Sequence, residues 1–403
     1  MSTKAVKGLL VAVFIASLVW TRFVIWNQAK PVYHEGQKLV LTGYLLEEPR
    51  RAGTGASFKF SGVFVTTNQT QLHYGDKLKL TGNYSKGRLA FPGIERGENS
   101  SLFYQSLAWL RNNLRSKTQE LFPEPEAGLI LGIVLGDKSD LDSQLEKDLK
   151  TTGTIHVAVV SGFNISLVGG ALLALAKFIK RRRAVLLSLV AIVLYSLLSG
   201  FTPPTMRALI MCASVYLGTL TGRVVYPLYT LVAAALILYL LDPGVLFDIG
   251  FQLSFLATGG IMLFSQALQD KIPSFMKLFG ADLSTSLAAQ LLVTPILFYN
   301  FGRVSLVSPI ANALTLWVIA PVTIMSFVIL CISFIAFPIA FILALIALPL
   351  VKYFVFAVEI LAKLPLASVE IGKNNVFLVV GYFLLALSAA LNLFIKKNAI
   401  KNP

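Results

Sequence analysis

Apolar and polar positions divide the chain into two regimes. Between residues 155 and 395, apolar runs of roughly 16–25 residues recur, the length that crosses about 30 Å of hydrocarbon. Backbone N–H and C=O groups find no water in lipid, so such runs must close their hydrogen bonds internally, as helices. The pattern places them at 155–176, 184–199, 206–220, 228–241, 249–268, 283–299, 308–335, 338–362 and 376–395. A further run, 8–26, follows Lys4 and Lys7 and is broken only by Ser17, Thr21 and Arg22. No small-residue cleavage site follows it, so it reads as a retained signal anchor and brings the expectation to about ten spans.

Residues 33–97 obey a different period. Leu39 and Leu41, then Phe58 and Phe60, alternate with other residues in twos between Gly- and Asn-containing turns. A local repeat is visible, Gly36-Gln37-Lys38-Leu39-Val40-Leu41-Thr42-Gly43 against Gly75-Asp76-Lys77-Leu78-Lys79-Leu80-Thr81-Gly82. Each copy reads as a turn glycine, a strand and a glycine bend, which predicts a small, partly open, OB-like all-β domain. Residues 102–121 return to helical spacing, with Phe103, Leu107, Leu110, Leu114 and Leu121 on the apolar side and Arg111, Asn112, Arg115 and Lys117 between them. That is an amphipathic helix at the membrane surface or against the bundle. The apolar stretch 128–136 carries glycines at 128, 132 and 136, a small-xxx-small pattern for close packing, and is too short to span alone. The boundaries are an anchor at 1–28, the β domain at 29–98, the amphipathic helix at 99–124, a transmembrane domain at 125–398 and a tail at 399–403.

Composition sharpens this picture. The chain has 403 residues, is 56% hydrophobic and only 14% charged, far below the quarter usual in soluble domains, which excludes a soluble globular enzyme. The formal net charge of +15 fits either the positive-inside bias of cytoplasmic loops or a polyanionic partner, and position discriminates between them. The run Lys180-Arg181-Arg182-Arg183 and the N-terminal lysines both belong inside, and both then place the β domain outside. Residues 27–97 nevertheless hold ten Lys and Arg against five Asp and Glu, an excess that positive-inside bias does not explain. Lys38, Lys59, Lys77, Lys79 and Arg88 would suit a phosphate backbone in an OB-like groove, or they solvate a strand face. Cys212 and Cys331 lie in apolar runs as small hydrophobes, and three scattered histidines, His34, His73 and His156, argue against a multi-histidine metal centre. Neither a metal nor another cofactor is expected.

Polar groups inside the apolar regime concentrate in a few segments. Gly136-Asp137 precedes Gly153-Thr154-Ile155-His156, which leads to Ser161-Gly162-Phe163-Asn164. Pro203-Pro204-Thr205-Met206-Arg207 follows, then Asp242-Pro243 with Asp248 and Phe251-Gln252-Leu253-Ser254, then Thr294-Pro295 and Pro309-Ile310-Ala311-Asn312. In order and spacing these segments resemble the competence domain of the ComEC family, over about residues 125–395, with the β domain similar to the OB-like domain that precedes it. The resemblance implies an inner-membrane channel for DNA uptake in natural transformation. The chain departs from the family at Asn164, where histidine is common. Many members also carry a C-terminal metallo-β-lactamase-like nuclease domain, which three histidines cannot furnish, so strand degradation is expected either from a separate nuclease or not at all, and the chain itself is not expected to be an enzyme.

Ionisable groups at membrane depth cost about 2.5–3.5 kcal/mol on insertion scales and so face protein or a wet cavity. The candidate strand path is therefore His156, Ser161, Asn164, Arg207, Asp248, Gln252, Gln290 and Asn312, with Arg207 as a phosphate contact. Read blandly, Arg207 snorkels, Ser161-Gly162 is a kink, and the amides are interhelical glue. A serine hydrolase using Ser161 and His156 is the weaker alternative, because an i,i+5 pair lies on different helical faces. A transporter or flippase of another anionic polymer is the third reading. No glycine-lysine phosphate loop is visible, so the energy must come from elsewhere. The expected partners are DNA, the bilayer, a surface or periplasmic DNA receptor, a cytoplasmic motor, a nuclease and further copies of the chain.

Overall fold

The two copies of the sequence repeat fold as neighbours. In the computed structural model, which describes residues 3–52, 55–69, 71–97, 101–271 and 277–370 with 380–382, 384 and 388, β1 (Lys38–Tyr44) and β5 (Lys77–Ser85) pair antiparallel, Leu39 opposite Gly82 and Leu41 opposite Leu80. The turns before them match in detail. Gln37 Oε1 accepts from the His34 N–H at 3.0 Å, and Asp76 Oδ2 accepts from the His73 N–H at 2.9 Å. Gly36 (φ +79°) and Gly75 (φ +87°) both take the left-handed turn, where a side chain would be strained.

The remaining strands are β2 (Arg50–Ala52), β3 (Gly55–Phe60), β4 (Val63–Thr67), β6 (Arg88–Ala90) and β7 (Gly93–Arg96). The sheet runs β1-β5-β6-β4-β3-β2, with β7 also on β5. Two-residue turns with positive φ throughout, Ser61-Gly62 and Lys86-Gly87, join β3 to β4 and β5 to β6, matching the twist of their hairpins. β4 and β6 pair parallel, so the sheet curls into a half-barrel around Leu39, Leu45, Phe58, Phe60, Val63, Val65, Leu72, Leu78, Leu80 and Leu89.

The helices are α1 (Thr3–Ala29), α2 (Leu102–Leu121), α3 (Glu126–Leu135), α4 (Ser143–Thr152), α5 (Gly162–Ala174), α6 (Arg181–Leu198), α7 (Pro203–Thr221), α8 (Pro227–Leu241), α9 (Ile249–Gln269), α10 (Lys277–Phe301), α11 (Ser308–Ser333) and α12 (Phe337–Ala362). Among the described residues, four segments are long and apolar enough to cross a membrane: Ile249–Gln269, Gly280–Phe301, Ser308–Ser333 and Phe337–Ala362. α5 and α8 are shorter apolar helices. The last expected span, 376–395, lies outside the described residues apart from a few positions.

Every residue of α3 is buried, and its side chains form the middle of a core shared with α2, α4, α11 and α12. Gly128 and Gly132 are there for close approach, as their spacing predicts, but the partner differs from the expected neighbouring helix. A Cβ at either would run into a backbone carbonyl, of Asp140 and Ala158 respectively, so the loops flanking α4 lie directly on the helix. The expected helix over 155–176 begins only at Gly162, because Ser161 caps it and 155–160 runs as turns. α2 is also corrected. Its buried stripe is Leu107, Arg111, Leu114, Thr118 and Leu121, so Arg111 points inward while Phe103 and Trp109 are exposed.

α1 is tied to the far end of α8. Arg22 Nε and Nη2 donate to the carbonyls of Leu240 and Leu241 at 2.9 and 3.0 Å, and the Tyr239 hydroxyl donates to the Val19 carbonyl at 2.7 Å. The guanidinium thus meets carbonyls that the helix end leaves unpaired.

Candidate functional site

Three of the motif segments meet at Arg207. Pro203 and Pro204 open α7, where a missing N–H costs nothing, and place Arg207 on its first turns. Arg207 Nη1 donates to the Ser254 carbonyl of α9 at 2.9 Å, and a Cβ added to Gly162 would strike the Arg207 guanidinium and come within 3.3 Å of Ala208 Cβ. Glycine at 162 therefore leaves the room in which the guanidinium lies against the start of α5. The starts of α7 and α9 touch again where a Cβ on Gly250 would stand 3.6 Å from the Pro204 ring.

The site is under-bonded. Arg207 Nε is buried and carries no hydrogen bond among the described residues. Asn164, only 1% exposed, has neither amide atom in a hydrogen bond of ordinary geometry, although it lies beside the Tyr195 hydroxyl. That hydroxyl instead donates to the Ile133 carbonyl of α3 at 2.5 Å. Each buried polar group left in this state costs about 1–3 kcal/mol, and Arg111 Nε and Asn312 Oδ1 are unpartnered in the same way. The N-terminus of α5 adds the positive end of its dipole at the same spot.

Most of the other expected path residues are engaged in bonds of their own. Ser161 Oγ accepts from the Asn164 N–H at 3.4 Å as the α5 cap, and His156 is exposed with Nδ1 3.1 Å from the Gly153 carbonyl oxygen. No hydrogen bond joins His156 to Ser161 among the described residues. Asp248 accepts from the Phe251 N–H at 2.8 Å as the α9 cap, and Gln252 donates to the Leu246 carbonyl at 2.8 Å. Asn312 donates to Ser286 Oγ at 2.7 Å with its own oxygen unpartnered, and Gln290 stands one turn beyond Ser286 on α10. Among the described residues no hydrogen bond links Arg207, Asn164 and the pair of Asn312 and Ser286 to one another.

A second polar centre, absent from the sequence-based list, sits where the half-barrel meets the helices. Arg115 Nη2 pairs with Asp137 and donates to Ser139 Oγ at 2.8 Å, its Nε lies 3.0 Å from Asp140, and its Nη1 lies 3.7 Å from Glu48. Burial works against the Arg115 charge, but Asp137, Glu48 and Asp140 outweigh it and hold the guanidinium above its usual range. Glu48 is pushed up by burial, against the pull of Arg115. One turn earlier, Arg111 stacks 4.4 Å over the Tyr74 ring and donates to the terminal carbonyls of α3 (Leu135, 3.3 Å) and α6 (Leu198). Asp137 of the Gly136-Asp137 motif thus locks α2 and the β domain to the bundle. The signal available in sequence was the stripe 107, 111, 114, 118, 121, with an arginine in an apolar position.

The five candidate strand-binding cations of the β domain divide by partner. Lys79 is paired with Glu95 at 2.8 Å. Lys38, Lys59 and Arg88 are exposed, Lys77 is half-buried beside Gly97, and none of these four has an ion pair among the described residues.

A family model described as "Competence protein" matches residues 133–395, which includes Arg207, Asn164 and Asp137. The chain belongs to the competence protein family, a family of membrane proteins. Among relatives, it is 27% identical to ComE operon protein 3 of Bacillus subtilis (strain 168) over 69% of this chain and 34% of that protein. It is 26% identical to competence protein ComA of Neisseria gonorrhoeae, over 50% of this chain and 30% of that one. It is 23% identical to the uncharacterized protein YcaI of Escherichia coli (strain K12), over 61% and 32%. The chain thus spans about a third of the length of these relatives. No solved structure matches it.

Proposed function

We propose that this protein is a channel that passes DNA, as a single strand, across the bacterial inner membrane into the cytoplasm during natural transformation. The observation that carries the reading is Arg207. Three motif segments converge on a guanidinium that uses one carbonyl and leaves capacity for a phosphate oxygen, which planar N–H pairs bind well. Membership of the competence family, and the names of two relatives, support DNA as the cargo. The protein makes and breaks no bond in this reading. Ser161 serves as a helix cap, and a cytoplasmic motor draws the strand while a separate nuclease processes it.

In the membrane the chain has about ten spans, the four long helices joined by α1, α5–α8 and the run at 376–395. The orientation has support from α6. Its last carbonyl meets Arg111 beside the half-barrel, and its basic first turn, Arg181 to Arg183, lies a helix length away, about 27 Å for 18 residues. With the arginines inside, the half-barrel is extracytoplasmic. Its parallel β4–β6 pair set between antiparallel pairs supports an OB-like module with a basic outer face that receives DNA from a surface receptor.

The test is uptake of labelled DNA by cells that carry the gene, lack it, or carry Arg207→Ala. Uptake should vanish without the gene and fall sharply in the variant at equal membrane abundance. Normal uptake in gene-deleted cells would overturn the channel.

A further inference from the structure

We propose that Lys59, Phe64 and Arg88 form a stacking platform on the half-barrel that holds a base of single-stranded DNA between two phosphate contacts; this rests on the DNA reading given above. The three residues are consecutive across three strands. Lys59 of β3 stands opposite Phe64 of β4, and Phe64 stands opposite Arg88 of β6. Their neighbours Phe58, Phe60, Val63, Val65 and Leu89 are buried, so alternation along each strand turns all three outward. Phe64 is 59% exposed in the middle of the sheet, flanked on both sides by cations. Strand spacing of about 4.8 Å puts the two cations about 10 Å apart, one on each side of the ring.

Every base has a π face, whereas bases in a duplex are already stacked, so an open ring flanked by cations selects a single strand. The charges there are available. Neither Lys59 nor Arg88 has an ion pair among the described residues, in contrast to Lys79 with Glu95. The nearby acids are engaged in part: Glu47 accepts from the Lys59 backbone N–H, and Glu35 from Ser85 Oγ at 2.7 Å and the Lys86 N–H. A lipid surface would also take an aromatic ring and cations. Interfacial anchors present several apolar residues together, however, and α2 already does so with Leu102, Phe103 and Trp109.

The experiment uses the full chain in nanodiscs and a fluorescent thymidine oligomer, single-stranded or paired with its complement. Phe64→Ala should weaken single-strand binding about tenfold, the order of one lost base stack, with the salt slope and duplex binding unchanged. Phe64→Trp should bind at least as well as the parent. Lys59→Gln with Arg88→Gln should flatten the log–log salt slope by about 1.4, at about 0.7 per phosphate contact. Strong, salt-dependent single-strand binding that Phe64→Ala leaves untouched would overturn the platform while leaving the channel reading intact. Absence of any strand binding at low salt would remove both. A fluorophore at Phe64→Cys, with Cys212 and Cys331 replaced by Ala, tests the lipid surface: quenching by nitroxide-labelled lipid in the absence of DNA would make the position a membrane anchor and overturn the proposal.

Discussion

Arg115 and Arg207 are both partly buried and both belong to regions rich in motif residues, yet their surroundings are opposites. Arg115 faces three carboxylates and a hydroxyl, and its charge is fully answered. Arg207 has one carbonyl, a buried Nε without a partner and an unbonded Asn164 three residues into the neighbouring cap-and-helix segment. A polar group whose every bond is closed within the chain is a joint. A polar group left short of partners is held at a cost that a bound ligand would offset, but Arg111 Nε beside Arg115 is unpartnered as well, so only a functional measurement tells the two cases apart.

The sharpest way to break this contrast is Arg115→Ala. Removing one partner from a buried ionic cluster leaves Glu48 and Asp137 uncompensated and typically costs about 3–5 kcal/mol, so the protein should accumulate poorly and unfold early on heating in detergent. Arg207→Ala should behave in the reverse manner. It should remain abundant and thermally ordinary while DNA uptake falls about tenfold or more, the range of one lost charge-assisted contact. If Arg207→Ala were instead the unstable variant, the two arginines would have exchanged roles.

Asn164→Leu sharpens the comparison further. Replacing a buried, unbonded amide with an apolar side chain of similar size should raise stability by about 1 kcal/mol in thermal unfolding, while uptake declines. The smallest effect is a pH dependence at the joint. Burial raises the Glu48 pKa, so the folded state holds that proton more tightly than the unfolded chain. The folded state therefore loses stability as pH rises from the ordinary glutamate value through the raised one, and Glu48→Gln should flatten that part of the stability profile.

Much of this was legible in the sequence where the cause is local. Period-two alternation and the repeated turn chemistry at 36–43 and 75–82 specify β1 and β5 almost residue by residue. The apolar runs set the limits of α9 and α11 to within two residues, because hydrocarbon-facing positions need no tertiary partner to be recognised. Asp248 and Ser161 carried a readable signal of another kind, a side chain three residues ahead of the N–H it caps, and that signal marks helix starts rather than a lining. The joint was legible only at Arg111, which occupies an apolar position of the α2 stripe. Glu48, Arg115 and Asp137 are brought together only by tertiary packing, and Arg115 looks the same in sequence whether it meets water or three acids. The meeting of Arg207 with Gly162 and Ser254 depends on packing in the same way, although the motifs named its participants.

The tie between α1 and α8 has a consequence in time. Arg22 and its carbonyl partner Leu240 are 218 residues apart in the chain. At about 5–20 residues per second, a ribosome needs roughly 10–40 s to make the second after the first. In the ten-span arrangement proposed above, the first helix spends that interval in the membrane with an unanswered guanidinium, too costly to hold at the bilayer centre. It must reach for headgroups, keep to the insertion machinery or stay shallow until the eighth helix arrives. The final depth of the first helix is therefore set late in synthesis, by the arrival of Leu240 and Leu241.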